Sequence, residues 1–221
     1  MVNVLTIIDF DPERLVGEPQ RLLELLTRVG SSLPGIRSAH AGATLPRALN
    51  GGRLMWRLSF GSEAACSACC HSMLWQTQIA PALGPDRGLS VDTVQYRADF
   101  ADSSPGRSRE GIWRCLVFSV DHDAAGGDVR RLETDLLLMP RYVSSIRNWS
   151  LGRVVSARGR RPWTHVWEQE FDEVAGLEGE YMVHPIHWGL VDGWFDPECP
   201  QRIVDPFLIH AAFAIRDAVI A

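Results

Sequence analysis

Apolar positions along the chain follow two alternating periods, and their order is written twice. Val2–Phe10 (VNVLTIIDF) is apolar and β-branched, which predicts a strand. Leu22, Leu25, Leu26 and Val29 follow at helical spacing after Pro19, a residue suited to a helix start, and Leu33-Pro34-Gly35 ends that helix. Arg37–Thr44 and Arg53–Phe60 are predicted strands joined through the hairpin signal Asn50-Gly51-Gly52. A helix is expected over Glu63–Leu83 and a half-exposed strand over Leu89–Phe100.

Ala101–Glu110 is polar and rich in Ser, Pro, Gly and charge, the composition of a linker. Beyond it the order recurs. Ile112–Val120 is a strand, and Val129, Leu132, Leu136 and Met139 mark a helix that stops at Pro140. Arg147–Val154 and Trp163–Phe171 are strands, Tyr181–Phe195 is helical, and a closing strand lies in Ile203–Phe213, its opening weakened by Pro206. Phe10 falls opposite Val120, Ile36 opposite Ile146, and Trp56 and Phe60 opposite Trp167 and Phe171. Residues 1–100 and 111–221 are therefore two copies of one unit, with 101–110 between them.

Each copy has the strand-helix-strand-strand-helix-strand order of a ferredoxin-like unit. A four-stranded sheet with helices on one face leaves its other face bare, and two such units can bury those faces together. The predicted fold is α+β, with two tandem βαββαβ units packed sheet to sheet as a barrel. Fusion makes that pairing intramolecular and allows the halves to diverge.

Composition narrows the partners. The chain is 46% apolar and 22% charged, enough for a real core, and its net charge of -5 gives no basic footprint for nucleic acid. No apolar run has the length of a membrane span, no basic region precedes the first apolar residues, and the five cysteines suit a reducing compartment, so a cytoplasmic protein is expected. Cys66, Cys69, Cys70 and His71 do not match a haem-attachment spacing, and Cys115 and Cys199 stand alone. They read as small residues of a buried helix.

The chemistry concentrates in Tyr181-Met-Val-His184-Pro185-Ile-His187-Trp188. Pro185 disfavours helical angles at His184 and is suited to open a new segment, which would put His187 in a first turn. The positive end of a helix dipole favours neutral imidazole, the form a general base needs. At neutral pH imidazole and phenol offer a base and an acid together, with no metal or organic cofactor required. Six of the eight tryptophans lie in the second half, among them Trp113, Trp167 and Trp188, and either fill the core or line an apolar pocket. Glu168 and Glu170 alternate on one strand and could orient a histidine, whereas His40, His122 and His210 are isolated and read as structural or solvent-facing.

The repeated unit, the Thr164-His165-Val166 strand and the His184-Pro185-Ile-His187 motif together resemble the dimeric α/β-barrel, or stress-responsive A/B barrel, family. The second half is similar to its plant polyketide cyclases, of the olivetolic acid cyclase type, and to related hydroxynitrile lyases. That resemblance implies an acid/base dyad at Tyr181 and His187 and a cavity histidine at His165. A first-strand histidine of the cyclases would fall at Arg114, and a helix-one tyrosine at Leu136. With His184, Trp167, Trp188 and Trp113, Arg114 is expected to bind substrate. In the first half Leu54, Ala68 and Leu74 stand where His165, Tyr181 and His187 are, and His71 matches His184, so one site per chain is expected. The implied function is a cofactor-independent cyclase, lyase or isomerase acting on a small aromatic or polyketide-like carbonyl compound. The alternatives are a cofactor-free or haem-linked monooxygenase and a non-catalytic ligand-binding or stress protein. The partners expected are a small-molecule substrate, no nucleic acid and no membrane, in a monomeric pseudo-dimer or a homodimer of it.

Overall fold

The computed structural model describes residues 1–11, 13, 18–103 and 110–220. Its strands are β1 (Val2–Phe10), β2 (Ile36–Ala43), β3 (Leu54–Phe60), β4 (Leu89–Ser103), β5 (Gly111–Phe118), β6 (Asn148–Arg158), β7 (His165–Phe171) and β8 (Ile209–Ile215). They form one antiparallel sheet in the order β2-β3-β1-β4-β6-β7-β5-β8. The first four places belong to the first half and the last four to the second. The halves join edge to edge through β4 and β6, and their inner faces oppose each other across a barrel.

The inner layer is shared by both halves. Leu5, Ile7, Met55, Val94 and Tyr96 pack there with Trp113, Cys115, Val117, Val166 and Phe213. The outer face of each half carries its own helical layer. In the first this is α1 (Glu18–Gly30), α2 (Glu63–Cys70), a π turn at Trp75–Ile79 and the short α3 (Ala80–Ala82). In the second it is α4 (Gly126–Tyr142) and the π-helical segments Gly176–Tyr181 and His187–Val191. Strands covered on both faces lose the alternation that marks a half-exposed sheet, and β3 and β7 are buried along their whole length.

The barrel nearly closes where β2 meets β8. Leu45 N donates to Ala212 O (2.8 Å), and Leu49 and His210 exchange backbone bonds of 2.8 and 2.9 Å. Two glycines permit this approach: a Cβ on Gly42 would sit 2.4 Å from the Phe213 ring, and one on Gly51 2.3 Å from Ala211 Cβ. Inside the barrel Arg57 grips Glu168 at 2.6 and 3.3 Å, and the same carboxylate accepts from Ser150 Oγ (2.6 Å) and Trp113 Nε1 (3.2 Å). A buried pair survives when both partners are fully hydrogen-bonded, as Glu168 is here.

Several boundaries differ from the pattern. β4 runs to Ser103, three residues into the stretch read as linker, and 104–109 lie outside the described residues. The β2–β3 connection is not a tight hairpin: Thr44 N bonds Arg53 O at 2.9 Å across a longer loop, which Asn50 (φ 54°) and Gly52 (φ 62°) turn. The expected helix 63–83 breaks after Cys70 and resumes in π geometry. α4 carries Pro140 inside its last turn. β8 starts only at Ile209, because a proline has no N–H for a ladder; Val204 makes one isolated bridge, to Val120. Cys66 and Cys69 are buried on α2 as small core residues.

Candidate active site

The outer face of β7 carries His165, Trp167, Gln169 and Phe171; its inner face carries Val166, Glu168 and Glu170. β5 lies beside it in a register that places Arg114 opposite Gln169 and Leu116 opposite Trp167. On the far side of β5, β8 sets His210 against Leu116 and Ala212 against Arg114. Arg114, Gln169 and His210 thus meet under the second-half helices.

The helical segment above them is built around Pro185. The helix stops at His184, restarts at Pro185, and His187 N takes the carbonyl of His184 at 2.9 Å. From His187 the turn is π-helical, with Asp192 N donating to His187 O. An i to i+5 bond brings residues five apart over one another, so Asp192 Oδ2 lies 3.6 Å from His187 Nδ1. The carboxylate thus faces Nδ1, the nitrogen whose protonation it favours. Tyr181, fully buried, packs its ring 4.8 Å from that of His187 and edge-on to Phe171.

These side chains line an open cavity of about 180 Å³, with Arg114, Tyr181, His187, Asp192 and His210 as its polar wall and Leu49, Leu116, Leu136 and Phe195 among its apolar ones. Its electrostatics are set by burial and by Arg114. Burial lowers the His187 pKa, with Arg114 adding to the effect and Asp192 opposing it, so the imidazole is neutral at physiological pH. The cause is desolvation and a neighbouring cation rather than the helix dipole inferred from the sequence. Burial raises the Tyr181 phenol, although Arg114 beside it pulls the other way, and the group stays a proton donor. Arg114 and burial together push His210 down to about 3. Burial raises Asp192, against the pull of His187.

Arg114 is the unusual member. It is buried, its Nη1 donates to Gln169 Oε1 at 2.5 Å, and its guanidinium sits 5.1 Å from the centre of the Tyr181 ring. Its Nε makes no hydrogen bond, the Arg114 and Gln169 side chains both approach the Tyr181 phenol, and among the described residues no carboxylate lies within ion-pair distance of Arg114. A buried cation is ordinarily paired.

The structure brings together Tyr181, His187 and Arg114 of the residues singled out in the sequence. It places the others elsewhere. His165 shares the outer face of β7 but lies four residues from Gln169, roughly 13 Å along a strand. There it stacks on Phe118 at 5.0 Å, and its nitrogens meet Thr164 Oγ1 (2.8 Å) and Glu133 Oε1 (3.3 Å). Burial works against ionising Glu133, but His165 and the two-pronged grip of Arg153 (2.6 and 2.8 Å) override it and hold the carboxyl at about 2. The carboxylate that orients His165 is therefore Glu133 from α4; Glu168 and Glu170 point into the barrel. Trp167 packs on Trp149 in the helical core. Trp113 faces the barrel interior against Phe213, the side of the sheet away from Tyr181. Trp188 is exposed and bonds Val183 O, and His184 Nδ1 accepts from Ile186 N at 3.2 Å. His184, Trp113, Trp167, Trp188 and His165 do not line the cavity. Gln169, Asp192 and Leu49 belong to the site and were not singled out, and His210, read from the sequence as structural or solvent-facing, lines the cavity instead. Asp192 depends on a π turn that no residue pattern announces, and the other three arrive from separate strands and loops.

The comparisons with known proteins agree with this architecture. A family model, the stress responsive A/B barrel domain, matches residues 112–206. Among solved structures, an anthrone oxidase-like protein superposes with a TM-score of 0.70 at 11% identity, covering 97% of this chain and 90% of its own. Two candidate monooxygenases follow: one from Fusobacterium nucleatum subsp. nucleatum (TM-score 0.58, 9% identity, 100% and 94% coverage) and one from Lactobacillus acidophilus NCFM (0.55, 7%, 100% and 100%). At such identities the likeness is one of fold. No curated protein matches the sequence. No helix among the described residues is long and apolar enough to cross a membrane. The second half of this chain thus matches the stress responsive A/B barrel domain, and the whole chain has the fold of two ferredoxin-like units joined in one barrel-like sheet.

Proposed function

We propose that the second-half cavity is the site of a cofactor-independent acid/base enzyme acting on a small aromatic or polyketide-like carbonyl compound. The observation that supports it most is Arg114: a buried guanidinium with an unpartnered Nε, beside a neutral imidazole and a protonated phenol. Such an arrangement suits a reaction in which negative charge develops on the substrate. His187 Nε2 removes a proton α to the carbonyl, Arg114 stabilises the enolate oxygen, and Tyr181 donates a hydrogen bond or a proton to it. Asp192 steadies the imidazolium that forms. A cyclase, a lyase and an isomerase each begin from this step.

A second reading starts there too. The anthrone oxidase-like protein shares the fold, and an enolate held by Arg114 is the kind of electron-rich carbon that dioxygen attacks. Oxygen uptake during turnover separates the two.

Deuterium exchange at the α-carbon of aryl ketones, followed by proton NMR, tests the common step without knowing the natural reaction. The wild-type protein should accelerate exchange, and Arg114→Met should cut the acceleration by about 10²–10³-fold, the scale of one lost charge-stabilising group. Absence of any acceleration by folded protein across such a panel would favour a binding protein.

A further inference from the structure

Acid/base chemistry leaves unexplained a larger apolar groove beside the cavity. The groove has a volume of about 560 Å³, against about 180 Å³ for the cavity, and the two share Met182 and His210 in their walls. Its floor is Ala211 and Ala212 of β8, and Val174 and Leu177 form one side. The opposite side, residues 45–48, comes from the first half of the chain.

That wall is held in place. The loop is stitched to β8 on both sides of the groove: Leu45 N to Ala212 O at one end, the Leu49–His210 bridge at the other. Asn50 Nδ2 adds a bond to Leu208 O (2.8 Å), and Arg160 Nη2 ties down Asn50 O (2.8 Å). Between these anchors the chain arches over the groove, with Arg47 at φ 69°, a conformation rarely taken without glycine. Arg47 reaches across to Glu178 at 3.2 Å, so an ion pair spans the groove mouth.

We infer that cavity and groove form one substrate site, in which the carbonyl head lies at Tyr181, His187 and Arg114 and an apolar tail of several carbons lies under residues 45–48. This rests on the acid/base reading of the cavity for the head and on the groove's own walls for the tail. The lining is overwhelmingly aliphatic, and the small Ala48, Ala211 and Ala212 leave the room that a chain of methylenes fills. His210, a neutral imidazole at the junction, is placed to hydrogen-bond the substrate where head passes into tail. The first half, which holds no comparable polar cluster among its described residues between sheet and helices, thereby sets the length preference of the second-half site.

The test uses the full chain and the unbranched phenyl ketones from acetophenone to hexanophenone, with binding measured by calorimetry and α-proton exchange by NMR. Affinity should rise about threefold to fourfold for each added methylene. Ala48→Trp and Val174→Trp fill the groove from opposite walls at exposed positions. Each should flatten the series to within about twofold, as expected when tail burial is removed. A slope that persists in both variants, or a wild-type protein with no slope, overturns the inference. The two readings fail separately. Exchange that proceeds equally on every ketone with no effect of length removes the groove alone. A slope abolished by both tryptophans in a protein that exchanges nothing removes the acid/base reading alone.

Discussion

The two halves of this chain share one backbone plan and differ in what they bury at the same place. Strand pairing sets the correspondence: Val4 faces Leu58 in the first half as Arg114 faces Gln169 in the second. Thr93, opposite Thr6, takes the place of His210, opposite Leu116. Leu54 stands for His165, as expected, and is packed with Leu74 in an apolar layer; Ala68 lies on the exposed face of α2. One half therefore uses the space between sheet and helices as core, and the other keeps a buried cation there. Burial of a charge with no ion-pair partner costs stability, and the proposed role on a substrate oxyanion is our reason for its retention.

The barrel interior shows the same divergence from the opposite direction. Arg57 and Glu168 occupy equivalent positions of β3 and β7 and are each other's partners across the barrel. Two identical halves would set like charges there. A fused chain can write arginine in one copy and glutamate in the other, and this one has done so. The salt bridge is thus a complementary pair that two identical halves could not form.

Breaking that pair should have the largest effect on stability. Glu168→Leu leaves Arg57 buried without its carboxylate and should cost about 3–5 kcal/mol in denaturant unfolding. Adding Arg57→Met should recover part of the loss, so that the double variant falls well short of the sum of the singles. Equal additivity would mean that the two residues act independently.

Copying the first half into the second should divide stability from function. Arg114→Val with Gln169→Leu reproduces the Val4–Leu58 pair, and the thermal midpoint should stay level or rise by a few degrees, an increment of about 1 kcal/mol. Exchange activity should disappear. A large drop in the midpoint would instead make Arg114 a structural residue.

Acidification should expose the buried histidines. His210 has its folded pKa at about 3, against 6.5 when unfolded, so between those values the unfolded chain binds more protons and stability is lost as the pH is lowered. The slope from this residue is at most ~1.4 kcal/mol per pH unit. His187, lowered in the same sense, steepens the upper part of that window. His210→Gln should flatten the profile there and leave the fall from 4.5 to about 2, where Glu133 takes up its proton. An unchanged slope in the variant would contradict the assignment.

Smallest of all should be the groove-spanning ion pair. Arg47→Gly removes an exposed pair worth about 0–1 kcal/mol and relieves a left-handed non-glycine residue, so the net change in unfolding free energy should stay within ~1 kcal/mol.

Much of this was legible in the sequence because duplication doubles the signal: Trp56 and Trp167, or Phe60 and Phe171, fix a register that a single copy leaves open. The break at His184 and restart at Pro185 followed from proline's missing N–H. Which tryptophans would line the site did not follow. β5 and β7 are buried on both faces, so alternation separates Trp113 from Arg114 without saying which face holds the cavity. Distance along a strand removed His165 and Trp167 although they share the correct face. Asp192 required an i to i+5 turn, and His210 and Leu49 required the closure of the barrel between halves, a contact no local pattern encodes.

The central claim is that His187 and Tyr181 act as a pair in a site whose polar groups come from the second half. It is tested most directly by α-proton exchange and thermal midpoint measured on the same preparations of His187→Ala, Tyr181→Phe, the double variant and His71→Ala. The two single changes should each lower exchange by about 10²–10⁴-fold, the range of a lost general acid or base. The double variant should lose far less than their product, because groups that act as a unit are not additive. His71→Ala, at the first-half position that matches His184, should stay within a few-fold of wild type. Wild-type exchange in a folded His187→Ala protein would contradict the account.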